Sequence, residues 1–140
     1  MTHFITSLYK QNNQRQINHF YRNQGRSVSC NNNDIIATIT FNGCYIGAGF
    51  IRQSKSKTGD NYFALLRSIL IAEPYRHQGA GSQIVNLLLD NCNNDVFTIC
   101  ETNLKKYYEK FGFRQIELPK TSPKSWEKEI KKGLILMIRP

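Results

Sequence analysis

Long hydrophobic runs are missing from this chain. Nowhere do about 18 apolar residues follow one another, which excludes a membrane-spanning helix of ordinary length. The opening MTHFITSLYKQNNQ is polar and lacks the charged-then-apolar layout of a secretory signal, so a soluble cytoplasmic protein is expected. Cysteine is scarce: Cys30, Cys44, Cys92 and Cys100 lie far apart with no C-x-x-C pair. That spacing suggests neither a zinc site nor a redox motif, and free thiols in a reducing compartment, with no metal, are the expectation.

Acidic residues are few as well. Ten Asp and Glu stand against nineteen Lys and Arg, and the net charge of +9 draws polyanions, whether nucleic acid or a phosphorylated small molecule. Residues 1–60 carry seven basic and two acidic groups, residues 61–100 two and three, and residues 101–140 ten and five, so the basic surplus sits at both ends. Runs such as Lys105-Lys106 and Lys131-Lys132 are more often solvated faces than binding sites, and charge alone assigns no partner. The 140 residues, 40% of them hydrophobic, suit one domain over 1–140.

The pattern along the chain predicts alternating elements. Phe4 to Tyr9 reads as a strand, and Asn12 to Asn23 as a helix with Ile17, Phe20 and Tyr21 at i, i+3, i+4. Asp34–Phe41 and Cys44–Ile51 flank Asn42-Gly43, a favoured two-residue hairpin turn. Polar Arg52 to Asp60 reads as an exposed link, and apolar Tyr62–Ala72, bounded by Pro74, as a buried central strand. Ile84, Leu87 and Leu88 predict a helix to Asp90. Val96–Cys100 then forms a strand, Asn103–Phe111 a helix stopped by Gly112, and Phe113–Leu118 and Gly133–Ile138 two closing strands. The segment between these last two, with Pro119, Pro123 and Trp126, reads as a charged loop. The order β-α-β-β-β-α-β-α-β-β predicts an α/β (α+β) fold, a mixed sheet with helices on both faces.

Between the central strand and the following helix stands EPYRHQGAGSQIV, residues 73–85. A strand that enters a helix through a glycine turn presents backbone N–H groups and the positive end of a helix dipole to an anion. Gly79 and Gly81 lack a Cβ, so the backbone can lie close to phosphate oxygens, with Arg76 and His77 at the mouth. Two glycines can equally turn a tight corner; their place between a buried strand and an amphipathic helix favours a ligand. No Lys follows Gly81, as a Walker loop requires, and Ile84 stands where the third glycine of a dinucleotide fingerprint would be.

Arg76-His-Gln-Gly79-Ala-Gly81 resembles the acyl-CoA loop [QR]-x-x-G-x-[GA] of the GNAT family of N-acetyltransferases. Lys106-Tyr107-Tyr108-Glu109-Lys110-Phe111-Gly112-Phe113 is similar to the family's late helix-to-strand signature, an aromatic followed by Y-E-K-x-G-F. Both occur in the family's order, and the series of elements is the family's from about Phe4 to Ile138.

The resemblance implies a sheet splayed between its fourth and fifth strands, with acetyl-CoA as acyl donor lying there like an added strand. Carried over residue by residue, it implies that Ile69, Leu70 and Ile71 contact the pantetheine arm. It implies that the amides of Gln78, Gly79, Ala80, Gly81 and Ser82 hold the pyrophosphate, beside Arg76 and His77. Tyr108 matches the tyrosine that returns a proton to the departing thiolate. A phenol with an ordinary value of about 10 is protonated at neutral pH; Tyr107 is the expected packing aromatic. Glu101, at the end of the fifth strand where many relatives carry Asn, is the candidate base or a binding group for a cationic amine. Glu73 and a water relay are rivals. The position where some relatives keep a glutamate base is Leu65, a departure that puts a direct side-chain base in question. Cys100 could carry an acetyl group but reads better as a buried thiol.

The implied activity is direct acetyl transfer from the thioester to a primary amine in a ternary complex. The acceptor is open: a small amine, a protein amine or an aminoacyl-tRNA. The amide-rich, basic or neutral segments Asn12–Asn33 and Pro119–Lys132 argue against polycations and favour an acidic or nucleic-acid-linked acceptor, with nucleic acid itself a possible partner from the net charge. No membrane partner is expected, and a homodimer, common in the family, is possible. Two other classes remain: a non-catalytic acyl-CoA-binding or regulatory module, which has no need of Tyr108, and a basic nucleic-acid-binding domain. The latter would expose an aromatic sheet, against the apolar character of Tyr62–Ala72.

Overall fold

The computed structural model describes residues 4–9 and 14–140, so Asn12 and Asn13 of the expected first helix lie outside the described residues. The elements are β1 (Ile5–Tyr9), α1 (Gln14–Asn23), β2 (Ile35–Phe41), β3 (Cys44–Lys55), β4 (Tyr62–Ile71), α2 (Ala80–Asp90), β5 (Val96–Cys100), α3 (Lys105–Glu109), β6 (Arg114–Ile116), α4 (Lys124–Lys131) and β7 (Ile135–Arg139). Hydrogen bonding orders the strands β1-β2-β3-β4-β5-β7-β6, a mixed α/β fold with an open seven-stranded sheet. The chain forms two compact units, residues 1–51 with 68–91 and residues 52–67 with 92–140; it passes from one to the other within β3 and returns within β4.

In the first unit β1, β2 and β3 run antiparallel, with Tyr9 opposite Ile36 and Ile36 opposite Phe50. Asn42 (φ +51°) and Gly43 (φ +78°) both take the left-handed conformation that a tight two-residue hairpin requires. The apolar stripe of α1, Ile17, Phe20 and Tyr21, packs on one side against Ile36, Ala48, Phe50 and Leu70. Each such side chain stabilises the unit by about 1.5–3 kcal/mol on area grounds. On the other side, next to Gly47 and Gly49 of β3, lies Ile84 of α2. The register places alternate residues of β2 and β3 on alternate faces, so α1 and α2 cover opposite faces of this unit.

In the second unit β4 and β5 are parallel, with Ala64, Leu65 and Leu66 opposite Val96, Phe97 and Thr98, and β5, β7 and β6 continue antiparallel. Leu65, Phe97, Trp126 and Leu136 form its core, with Phe63, Ile99 and Ile130 packed against them.

Four expectations need correction. Arg52–Asp60 is not wholly a link: β3 runs on to Lys55, and the turn is confined to the residues after it. Asn103–Phe111 divides into a 3-10 turn, Thr102–Leu104, and the five-residue α3. The closing strands are shorter or shifted, at Arg114–Ile116 and Ile135–Arg139. The charged segment 124–131 is a helix: Pro123 begins it, and Trp126 and Ile130, four residues apart, turn one narrow face onto the core.

Candidate active site

The first unit carries the strand-loop-helix element. β4 passes through Ser68, whose φ of +59° is left-handed and rare for a residue with a Cβ. The phenol of Tyr21 donates to the Ser68 carbonyl at 2.8 Å and holds it there. The register of β4 with β5 ends at Leu66, so the residues beyond this irregularity take no part in that ladder. Leu70 turns into the cluster under α1, whereas Ile69 and Ile71 lie over Gly49 and Gly47 of β3. A Cβ on Gly47 would stand 2.5 Å from Ile71 Cδ1, and one on Gly49 would collide with Ile69 Cδ1. The glycines of β3 thus make room for the isoleucines of β4.

After β4 the chain makes a short 3-10 turn, Glu73–Tyr75. The Arg76 Nε donates to the Ile71 carbonyl at 2.7 Å, which ties the start of the loop to the end of the strand. His77 has φ +64° and Gly79 φ +82°, and Gly79 occupies the N-cap of α2 with no side chain capping the helix. Among the backbone bonds at this end, Gln83 N donates to Gly79 O at 3.1 Å. The amides of Ala80 and Gly81 ahead of it belong to the first turn, where helix geometry supplies no intrahelical acceptor. A Cβ built on Gly79 meets nothing within 4 Å. This is an uncapped, positive helix end with open space at its glycine, and it can seat an anion of phosphate size.

The second unit carries the titratable cluster. Tyr108 of α3 is only 8% exposed and stacks edge-on against Phe113, with ring centres 5.6 Å apart, and against Tyr107 at 5.2 Å. Burial pushes its phenol up to about 12, Cys100 and Tyr107 push the same way, and a hydrogen bond with Thr98 pulls back. Thr98 Oγ1 itself donates to the Leu66 carbonyl at 3.0 Å, so a chain of polar groups links β4, β5 and α3. Burial, then the nearby Glu101, also raise the Cys100 thiol, whose Sγ lies 3.9 Å from Met137 Sδ. A thiol held protonated in that setting is a poor nucleophile. Glu101 is exposed at the end of β5, ahead of the 3-10 turn. Leu65 is a core residue beside Trp126.

The residues expected at the loop, Arg76 to Ser82, and along the strand, Ile69 to Ile71, belong to the first unit; Tyr108 and Glu101 belong to the second. One role is reassigned: Tyr108, not Tyr107, is the more deeply buried ring, because the short α3 turns it toward Phe113 while Tyr107 leans on Phe111. Sequence reasoning passed over Tyr21, Ser68 and Thr98 as site residues. Nothing in the sequence marks a left-handed serine in an apolar strand. Thr98, an isolated hydroxyl in VFTIC, was the available signal.

The sequence matches the profile of an acetyltransferase (GNAT) domain over residues 5–126. No curated protein matches the chain. Similar folds occur in solved structures. Arabidopsis thaliana Naa50 in complex with the bisubstrate analogue CoA-Ac-MVNAL is 17% identical, with 96% of this chain and 98% of that one covered and a TM-score of 0.64. Escherichia coli ElaA is 13% identical over the whole of both chains, with a TM-score of 0.65. N-acetylglutamate synthase from Neisseria gonorrhoeae, complexed with coenzyme A and N-acetyl-glutamate, is 12% identical over 96% of this chain and 35% of its own, with a TM-score of 0.65. At these identities the likeness establishes the fold.

Proposed function

The chain belongs to the GNAT acetyltransferase family, and on that premise we propose that it is an N-acetyltransferase that moves an acetyl group from acetyl-CoA to a primary amine. The observation that carries the proposal is the uncapped start of α2, with left-handed Gly79 at its N-cap and Arg76 bonded back to Ile71. Coenzyme A, when bound, supplies the thioester. In this reading the amides from Gln78 to Ser82 hold the pyrophosphate, Arg76 and His77 add side-chain donors at the mouth of the loop, and the backbone of Ile69, Leu70 and Ile71 bonds the pantetheine amides.

Acetyl transfer needs a neutral amine, a polarised carbonyl and a proton for the leaving sulfur. Glu101 accepts a proton from the amine, directly or through one water, which frees the nitrogen lone pair for the carbonyl carbon. As the new C–N bond forms and the C–S bond breaks, Tyr108 gives its phenolic proton to the sulfur and is reprotonated from solvent. The raised phenol supports that role, since it stays protonated across neutral pH. The raised Cys100 thiol favours direct transfer over an acetyl-cysteine intermediate.

Calorimetric titration with acetyl-CoA, with dephospho-CoA for comparison, tests the binding half. Micromolar affinity, about 8 kcal/mol, is expected. Absence of binding would reduce the loop to a corner. Binding without turnover on any amine, peptide or aminoacyl-tRNA would leave a regulatory module.

A further inference from the structure

The first unit holds a second feature that the transfer reaction leaves unused. The exposed side of α1, together with β1 and the β2–β3 hairpin, encloses an open groove of about 850 Å3 lined by Tyr9, Arg15, His19, Arg22, Thr40 and Tyr45 among others. Arg15, His19 and Arg22 occur at i, i+4 and i+7, so the helix projects them as one stripe while Ile17, Phe20 and Tyr21 anchor its other side. No carboxylate is among the described residues that line it. The floor is aromatic: Tyr9 and Tyr45 share a side-chain hydrogen bond, and both rest against the core under α1.

The two guanidinium groups sit on positions separated by about 10 Å of helix rise, too far apart to clamp a single small anion together. They suit anions repeated along a chain, and the rings between them offer flat apolar faces. An acidic peptide without aromatic residues supplies charge but nothing to stack, and a duplex hides its bases. Unpaired nucleotides supply both repeated phosphates and exposed base faces. We propose that this groove binds single-stranded nucleic acid, with Arg15 and Arg22 on phosphates and Tyr9 and Tyr45 under the bases. The site does not depend on the acetyltransferase reading.

The test is fluorescence anisotropy of a labelled single-stranded oligonucleotide with the full chain across a salt series. Removing two phosphate contacts in Arg15→Ala/Arg22→Ala should weaken binding at least tenfold at low salt and lower the slope of log K against log salt by about 1.4. Lys131→Ala/Lys132→Ala removes the same charge from α4 and its end and should change little. Tyr45→Leu should weaken binding several-fold with no change of slope, and all variants should keep the affinity of the parent for acetyl-CoA. Equal losses in the two double variants would make the binding a property of net charge and overturn the site. So would a polyglutamate that competes as well as the oligonucleotide, or full binding by Arg15→Ala/Arg22→Ala.

Discussion

Tyr21 donates its phenolic hydrogen to the carbonyl of Ser68, 47 residues away, at 2.8 Å, and so ties the buried face of α1 to the left-handed residue of β4. Tyr21 is fully buried, with its ring against Phe50, and the bond runs from this buried helix face to the half-buried Ser68 of the strand. Tyr21→Phe keeps the ring and leaves the Ser68 carbonyl without this donor. The expected loss is about 1–2 kcal/mol in urea unfolding. Because Ile69, Leu70 and Ile71 follow directly, the KM for acetyl-CoA should rise as well. A variant with unchanged stability and KM would show that the bond neither holds nor positions the strand.

Gly79 adopts φ +82° and faces open space, so its two substitutions separate backbone from binding effects. Gly79→Ala should cost about 1 kcal/mol for the left-handed conformation and leave much of the acetyl-CoA affinity. Gly79→Glu bears the same backbone cost and adds a carboxylate where the phosphates are proposed to sit; a loss of at least 100-fold is expected in a folded protein. Equal acetyl-CoA affinity in the two variants would remove the phosphates from this helix end.

Much of this was legible in the sequence, for physical reasons. The stripe Ile17, Phe20, Tyr21, the Asn42-Gly43 turn and the glycine loop are local signals, each fixed by period or by backbone freedom. What escaped depends on distant parts of the chain. In KSWEKEIK only Trp126 and Ile130 are apolar, a two-residue i, i+4 signal among charges rather than a full stripe, and the helix docks where Phe63 and Phe97 receive the Trp126 ring. The half-burial of Tyr107 and the full burial of Tyr108 likewise follow from where Phe111 and Phe113 lie. Ser68 is left-handed for no local reason; its partner is Tyr21, on another element.

Gly47 and Gly49 both lie under isoleucines, yet alanine should not be equally costly at each. At Gly49 the added Cβ meets the movable tip of Ile69 and, less closely at 3.0 Å, the branch methyl Ile84 Cγ2, whereas at Gly47 it lies 2.6 Å from Ile39 Cγ2, a branch methyl with little freedom. Gly47→Ala should therefore destabilise by about 2–3 kcal/mol and Gly49→Ala by about 1 kcal/mol. Trimming Ile69 to Val in the Gly49 variant should restore part of the loss. The reverse order in denaturant melts would mean that β3 shifts as a whole.

Tyr108 allows its proton to be followed by stability and by rate. Its phenol rises from the ordinary 10.0 to about 12, chiefly through burial. Between those values the unfolded chain has released the proton and the folded chain still holds it, so the stabilisation present below pH 10 is lost as pH rises toward 12. The loss is of order 3 kcal/mol. Tyr45 is raised to a similar value and contributes its own decline, so the measurement is the difference between the parent and Tyr108→Phe. That difference should shrink steadily across pH 10 to 12. The same substitution should lower kcat by about 100-fold or more, as expected on loss of a general acid, with little change in acetyl-CoA affinity. A parallel fall in affinity and kcat would mark Tyr108 as a packing residue. A variant with full kcat would hand the sulfur's proton to solvent.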